Sequence, residues 1–151
     1  MKPQTNCSLV KAVLTQWQSE RDGTIIGAIV MPDHLHALVE LSSALSVGRL
    51  VARWKTKTME ATNYAGRWQR DFWEHRLRCE ESWDDFGLYM FLNPYRAGLT
   101  ATDCQWHGWY CPNPSRFGFM QALKSPGVPP PEWIGWPADR FRSLAIGEFP
   151  S

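Results

Sequence analysis

The 151-residue sequence has no apolar run near the roughly 18 residues that a membrane-spanning helix needs, so no membrane insertion is expected. Its N-terminus, MKPQTNCSLVKAVLTQW, lacks the sustained apolar stretch and small-residue cleavage site of a secretory signal, and a cytoplasmic location follows as the expectation. Cysteine is scarce and scattered. Cys7, Cys79, Cys104 and Cys111 form no C-x-x-C pair, which argues against both a zinc module and a disulfide framework and predicts free thiols. There is no internal repeat and little net charge, only +1. What is plentiful is tryptophan and proline, nine and eleven residues, weighted towards the C-terminal half. With 44% hydrophobic and 21% charged residues, the composition is that of an ordinary globular protein, long enough for one core.

The small net charge hides an asymmetry. Eight of the sixteen basic residues fall between Arg49 and Arg78, against three acidic ones there, and they interleave with Trp54, Tyr64, Trp68, Phe72 and Trp73. Cations for phosphates and flat rings for unpaired bases are what a nucleic-acid surface needs. A solvated helix face with core aromatics has the same composition, so charge by itself does not decide.

Periodicity gives the elements. Leu9, Val10, Val13, Leu14 and Trp17 predict a helix over about 7–21, ended by Gly23. TIIGAIVM, Pro32-Asp33 and HLHALVEL predict a β-hairpin over roughly 24–31 and 34–41. In its second strand Leu35, Ala37, Val39 and Leu41 share a core face, and His34, His36, Leu38 and Glu40 point the other way. Val47, Leu50, Val51 and Trp54 mark a second amphipathic helix, with Arg49, Arg53 and Lys57 as a basic stripe spaced by four. FWEHRLR predicts a strand over about 72–78. Ser82-x-x-Asp85 opens a third helix over about 83–93, expected to stop before Pro94. Periodicity fades beyond Gly98, and 125–151 reads as an irregular tail.

His34-Leu35-His36 sets two imidazoles on one strand face, half of a metal site that needs a third ligand. Tyr89 and Asn93 lie one turn apart on the third helix. Each pair has a bland reading, as core or surface residues. Together, AIVMPDHLHALVEL, VGRLVARWKTKTMEA, WQRDFWEHRLRCEES and LYMFLNPYRAGL, in that order over about residues 8 to 100, resemble the REP-associated tyrosine transposases, a family of single-tyrosine HUH transposases.

The resemblance implies an α+β, ferredoxin-like fold: an antiparallel sheet with helices on one face. It implies a catalytic domain over 1–100 and a Trp/Pro-rich extension over 101–151. The family's sheet opens with a strand before the first helix, and here only Met1 to Asn6 precede that helix, so an N-terminal strand is expected to be missing and the next strand's edge open. Carried over residue by residue, the resemblance makes Tyr89 the nucleophile and His34, His36 and Asn93 the ligands of Mg²⁺ or Mn²⁺. Tyr95 follows the Asn-Pro step and is not the match. The partner implied is single-stranded or hairpin DNA, nicked and rejoined through a 5′-phosphotyrosyl bond, with homodimer formation left open. Arg49, Arg53, Lys57, Arg70 and Arg76 are expected to hold phosphates, and Trp54 or Trp68 to stack on bases, although Trp54 also lies on its helix's apolar stripe. His75 is read either as a DNA-contacting group or as a half-buried structural histidine. The alternative to an enzyme is a repurposed protein that binds DNA hairpins without cutting them.

Overall fold

Apolar residues at helical spacing build the first element. The computed structural model describes residues 3–20, 23–41, 46–63, 74–78, 81–125 and 127–136. In it, helix α1 spans Pro3–Glu20 and buries Cys7, Val10, Leu14 and Trp17 along one stripe. Strands β1 (Gly23–Val30) and β2 (Leu35–Leu41) form the antiparallel hairpin, and the Met31 N–H donates to the His34 carbonyl at 2.9 Å across Pro32-Asp33. Helix α2 (Val47–Thr62) starts at Ser46, whose side chain accepts from the Arg49 N–H, and ends on Asn63 in the left-handed region at φ 47°. Its buried line, Leu50, Trp54, Thr58 and Thr62, advances by four. The two threonine hydroxyls on it donate to the carbonyls of Trp54 and Thr58, at 2.8 and 2.7 Å, so neither is buried unsatisfied.

The chain divides into two compact units. One comprises Met1–Phe72 with His107–Pro112, the other Trp73–Trp106 with Asn113–Ser151. In the first, α1 packs on both β1 and α2, and the sheet order is β2-β1-β3, with β3 only Trp109–Tyr110. β1 is flanked on both sides and buried from Ile25 to Val30. Its Ile25 N–H, beside an irregularity in the β2 register between Ile25 and Gly27, is met at 2.6 Å by the Gln18 side-chain oxygen of α1. Among the described residues no strand precedes α1 and β2 is an edge strand, and the whole is the expected α+β antiparallel arrangement.

Three expectations need correction. Helix α1 begins at Pro3, four residues before the expected start at Cys7. Residues 74–78 are not in a strand; Phe72 and Trp73 lie outside the described residues, and the third strand is Trp109–Tyr110, pairing with Ile29 and Ala28 of β1. The period of two is nonetheless real, since Glu74, Arg76 and Arg78 are exposed while His75 and Leu77 are half-buried. It records side chains turned inward, not a hydrogen-bond ladder: the His75 ring stacks on Phe86 with centroids 5.9 Å apart. The third helix, α3 (Trp83–Arg96), also runs through Pro94 where a stop at Asn93 was expected. Pro94 forfeits one intrahelical bond, but the Ala97 N–H reaches the Asn93 carbonyl at 2.9 Å. Beyond it, Leu99 and Gly98 donate to the carbonyls of Pro94 and Tyr95, at 2.9 and 3.1 Å. Gly98, at φ +68°, makes this a Schellman ending that secures the last turn.

Around α3 the second unit packs rings. Phe117 is fully buried, Phe91 and Phe119 lie 5.4 Å apart, and a Cβ on Gly87 would collide with the Phe117 ring. The described part of 125–136 is irregular, with one 3₁₀ turn at Pro131–Trp133. Among the described residues no disulfide joins Cys7, Cys104 and Cys111, and Cys79 lies outside them.

Candidate active site

The tight link at Pro32-Asp33 delivers His34 at the start of β2, and the pleat brings His36 to the same face. The two imidazole rings meet edge to face with centroids 4.8 Å apart. His34 is exposed, and its Nδ1 lies 2.6 Å from the Asp33 carboxylate. A carboxylate on Nδ1 fixes the ring and directs Nε2 towards a ligand. His36 is half-buried. Burial, and then the neighbouring His34, lower its pKa to about 4, so its ring is neutral at neutral pH and offers a lone pair. A carboxylate-oriented imidazole beside a neutral one suits a divalent cation. Among the described residues no group of three or more His, Cys, Asp or Glu gathers to hold a metal ion.

Tyr89 and Asn93 are both half-buried on α3, one turn apart. The Arg96 guanidinium lies 5.9 Å from the centre of the Tyr89 ring. Tyr95 differs sharply. It is buried, its hydroxyl donates to the Cys104 carbonyl at 2.9 Å and accepts from the Trp106 N–H at 3.3 Å, and burial raises its pKa. That hydroxyl ties the segment after α3 to the helix.

On α2, Arg49, Arg53 and Lys57 are exposed, and Lys57 is loosely paired with Glu60 at 3.5 Å. Trp54 is not a base-stacking residue. It is only 6% exposed and packs edge-on against Trp17, centroids 5.3 Å apart, because it belongs to the same line of four-residue steps as Leu50 and Thr58. Trp68 and Arg70 lie outside the described residues. Arg76 is exposed. His75 is engaged through Nε2 by the Glu81 carboxylate, at 2.9 and 3.1 Å. Glu81 also accepts from the Arg78 N–H at 2.6 Å; that bond first, and His75 second, hold its carboxyl below the usual range. The sequence reading passed over Asp33, whose position beside His34 was the available signal. It also passed over Trp83, the residue after the cap Ser82.

A family model described as "Transposase IS200 like" matches residues 5–83, from α1 to the first residue of α3, so the histidine pair falls inside the match and Tyr89 and Asn93 beyond it. A protein of Escherichia coli (strain K12) named "REP-associated tyrosine transposase" is 23% identical over 105 residues, 68% of this chain and 62% of its own length. A protein of Haemophilus influenzae named "Putative REP-associated tyrosine transposase" is 24% identical over 96 residues, 54% of each chain. The chain thus spans little more than half the length of these relatives. No solved structure matches it. Matched over residues 5–83 and similar to two REP-associated tyrosine transposases, the chain belongs to the IS200-like transposase family.

Proposed function

We propose that the protein nicks and rejoins single-stranded or hairpin DNA, in a metal-dependent reaction that passes through a 5′-phosphotyrosyl bond to Tyr89. The observation that carries this reading is the histidine pair: two imidazoles 4.8 Å apart, one held by Asp33 and the other kept neutral by burial. In this reading His34, His36 and Asn93 are the ligands of a divalent cation, with Mn²⁺ better matched than Mg²⁺ to imidazole donors. Bound there, the cation supplies polarisation of the scissile phosphate and charge stabilisation.

The chain's own groups do the rest. The Tyr89 hydroxyl gives up its proton and its oxygen bonds to phosphorus, while the bond from phosphorus to the 3′ oxygen breaks and that oxygen leaves as a 3′-hydroxyl. The phosphodiester's energy is retained in the tyrosyl ester, so the 3′-hydroxyl reverses the step without a nucleotide cofactor. Arg49, Arg53 and Lys57 hold the strand by its phosphates and fix its register without reading sequence.

Incubating the purified chain with a labelled hairpin oligonucleotide and Mn²⁺ tests this. The expected product is a protein–DNA adduct that survives denaturation. Hairpin binding without any adduct would point to a hairpin-binding protein that does not cut.

A further inference from the structure

Nearly all of the described tryptophans are covered. Trp17, Trp54, Trp106 and Trp133 are buried, and Trp109 and Trp136 are half-buried. Trp83, the first residue of α3, is 36% exposed, and the Arg116 guanidinium lies 4.4 Å from its ring centre. Beside it opens a cavity of about 390 Å³ lined by Leu77, Arg78, Glu81, Ser82 and Trp83. All of these residues belong to the second unit.

The walls are braced from within. The Glu81 carboxylate is occupied by His75 and by the Arg78 N–H, and the Ser82 hydroxyl oxygen accepts from the Asp85 N–H at the helix cap. Among the described residues, what the cavity offers a ligand is therefore the Trp83 ring, an apolar Leu77 wall and the Arg78 guanidinium. Arg76 and Arg78 are both exposed, with half-buried Leu77 between them.

We propose that this cavity takes one nucleotide of single-stranded DNA, its base stacked on Trp83 and its phosphates held by Arg78 and Arg76. Each part of the site matches a part of that ligand. Every base has a π-face, and stacking on an aromatic residue is tolerant of sequence. Arg116 steadies the indole by a cation–π contact and adds positive charge beside it. A duplex is a poor occupant, because its bases are already stacked on one another. The inference rests on the reading that the protein acts on single-stranded DNA, and places a separate grip on the strand in the unit that carries Tyr89.

The test is fluorescence anisotropy with a labelled single-stranded oligonucleotide in EDTA, so that no cutting intervenes. Trp83→Ala and Trp83→Leu should each weaken binding by about tenfold or more, and Trp83→Phe should keep most of the affinity. An abasic residue walked along the oligonucleotide should, at one position, cost the wild type the same factor and cost Trp83→Ala nothing further. Arg78→Gln should lower the slope of log K against log[salt] by about 0.7. Unchanged affinity in Trp83→Leu overturns the inference, as does equal loss in the Phe and Leu variants, which would mark a purely structural ring. If the wild type binds single strands while the Trp83 variants match it, this inference alone fails. If the wild type binds no single-stranded DNA, the functional reading falls with it.

Discussion

The first unit is held by aliphatic side chains and tryptophans on regular periods, whereas the second is held by phenylalanines and turns gathered around a single helix. Ile25, Ile29, Leu14 and Leu50 belong to elements whose spacing repeats, so each buried residue forecasts the next. Phe117 and Phe119 sit in and beside 3₁₀ turns and reach the core through contacts with Gly87 and Phe91 that no local period announces. The candidate chemistry divides along the same line, with the histidine pair in the first unit and Tyr89 in the second. A regular unit tolerates exchanges that keep its pattern, while a ring-packed unit depends on particular close approaches.

Substitutions sharpen this contrast, beginning with the largest effect. Tyr89→Phe should abolish the covalent adduct and leave hairpin affinity and melting temperature nearly unchanged, because it removes only the nucleophilic oxygen. A denaturant-resistant adduct in that variant would move the nucleophile elsewhere. Replacing His34 and His36 together by Ala should eliminate Mn²⁺ binding in calorimetric titration while the fold persists, since His34 is exposed and His36 only half-buried. Asp33→Ala, which frees His34 Nδ1, should weaken the metal by about 10–100-fold. Undiminished binding by the double variant would place the metal away from this strand.

Stability separates the units further. Trp54→Ala removes a ring packed on Trp17 and should cost about 3–5 kcal/mol in urea unfolding. Gly87→Ala should cost about 1–3 kcal/mol, despite the roughly 1 kcal/mol that alanine gains over glycine in a helix, because its Cβ meets the Phe117 ring. A stabilised Gly87→Ala variant would show that the second unit is packed more loosely than its rings suggest. The smallest effect is electrostatic. Neutralising Arg49, Arg53 and Lys57 should lower the salt slope of single-strand binding by up to about two, at roughly 0.7 per phosphate contacted. An unchanged slope would return the stripe to a solvated helix face.

Much of the fold was legible in the chain. The stripe of α1, the β1–β2 hairpin, the Ser46 and Ser82 caps and the basic face of α2 each depend on neighbours within a few residues, which is the range over which backbone geometry repeats; the alternation expected along β2 does not appear in its burial, since Leu35 to Val39 are all half-buried. The same logic misled at 72–78, where alternation meant inward side chains and not a ladder. It misled again at Pro94, where the bonds given by Ala97, Gly98 and Leu99 carried the helix past a residue that weakens it. For the site, the sequence supplied His34, His36, Tyr89 and Asn93 as candidates but could not rank the aromatics. Trp54 and Trp83 each sit on a helix, and only packing makes one a core ring and the other a surface ring.

By itself, then, the sequence determined the three helices in outline, the hairpin that carries the histidines and the family to which the chain belongs. Tertiary structure alone decided that two residues, Trp109 and Tyr110, complete the sheet, and that Tyr95 is tied to the backbone of Cys104 and Trp106. It also decided that His36 loses its charge while His34 keeps to solvent. The physical reason is one of range. Periodicity and capping act between residues three or four apart, whereas strand pairing, ring contacts and desolvation depend on segments that only the folded chain brings together.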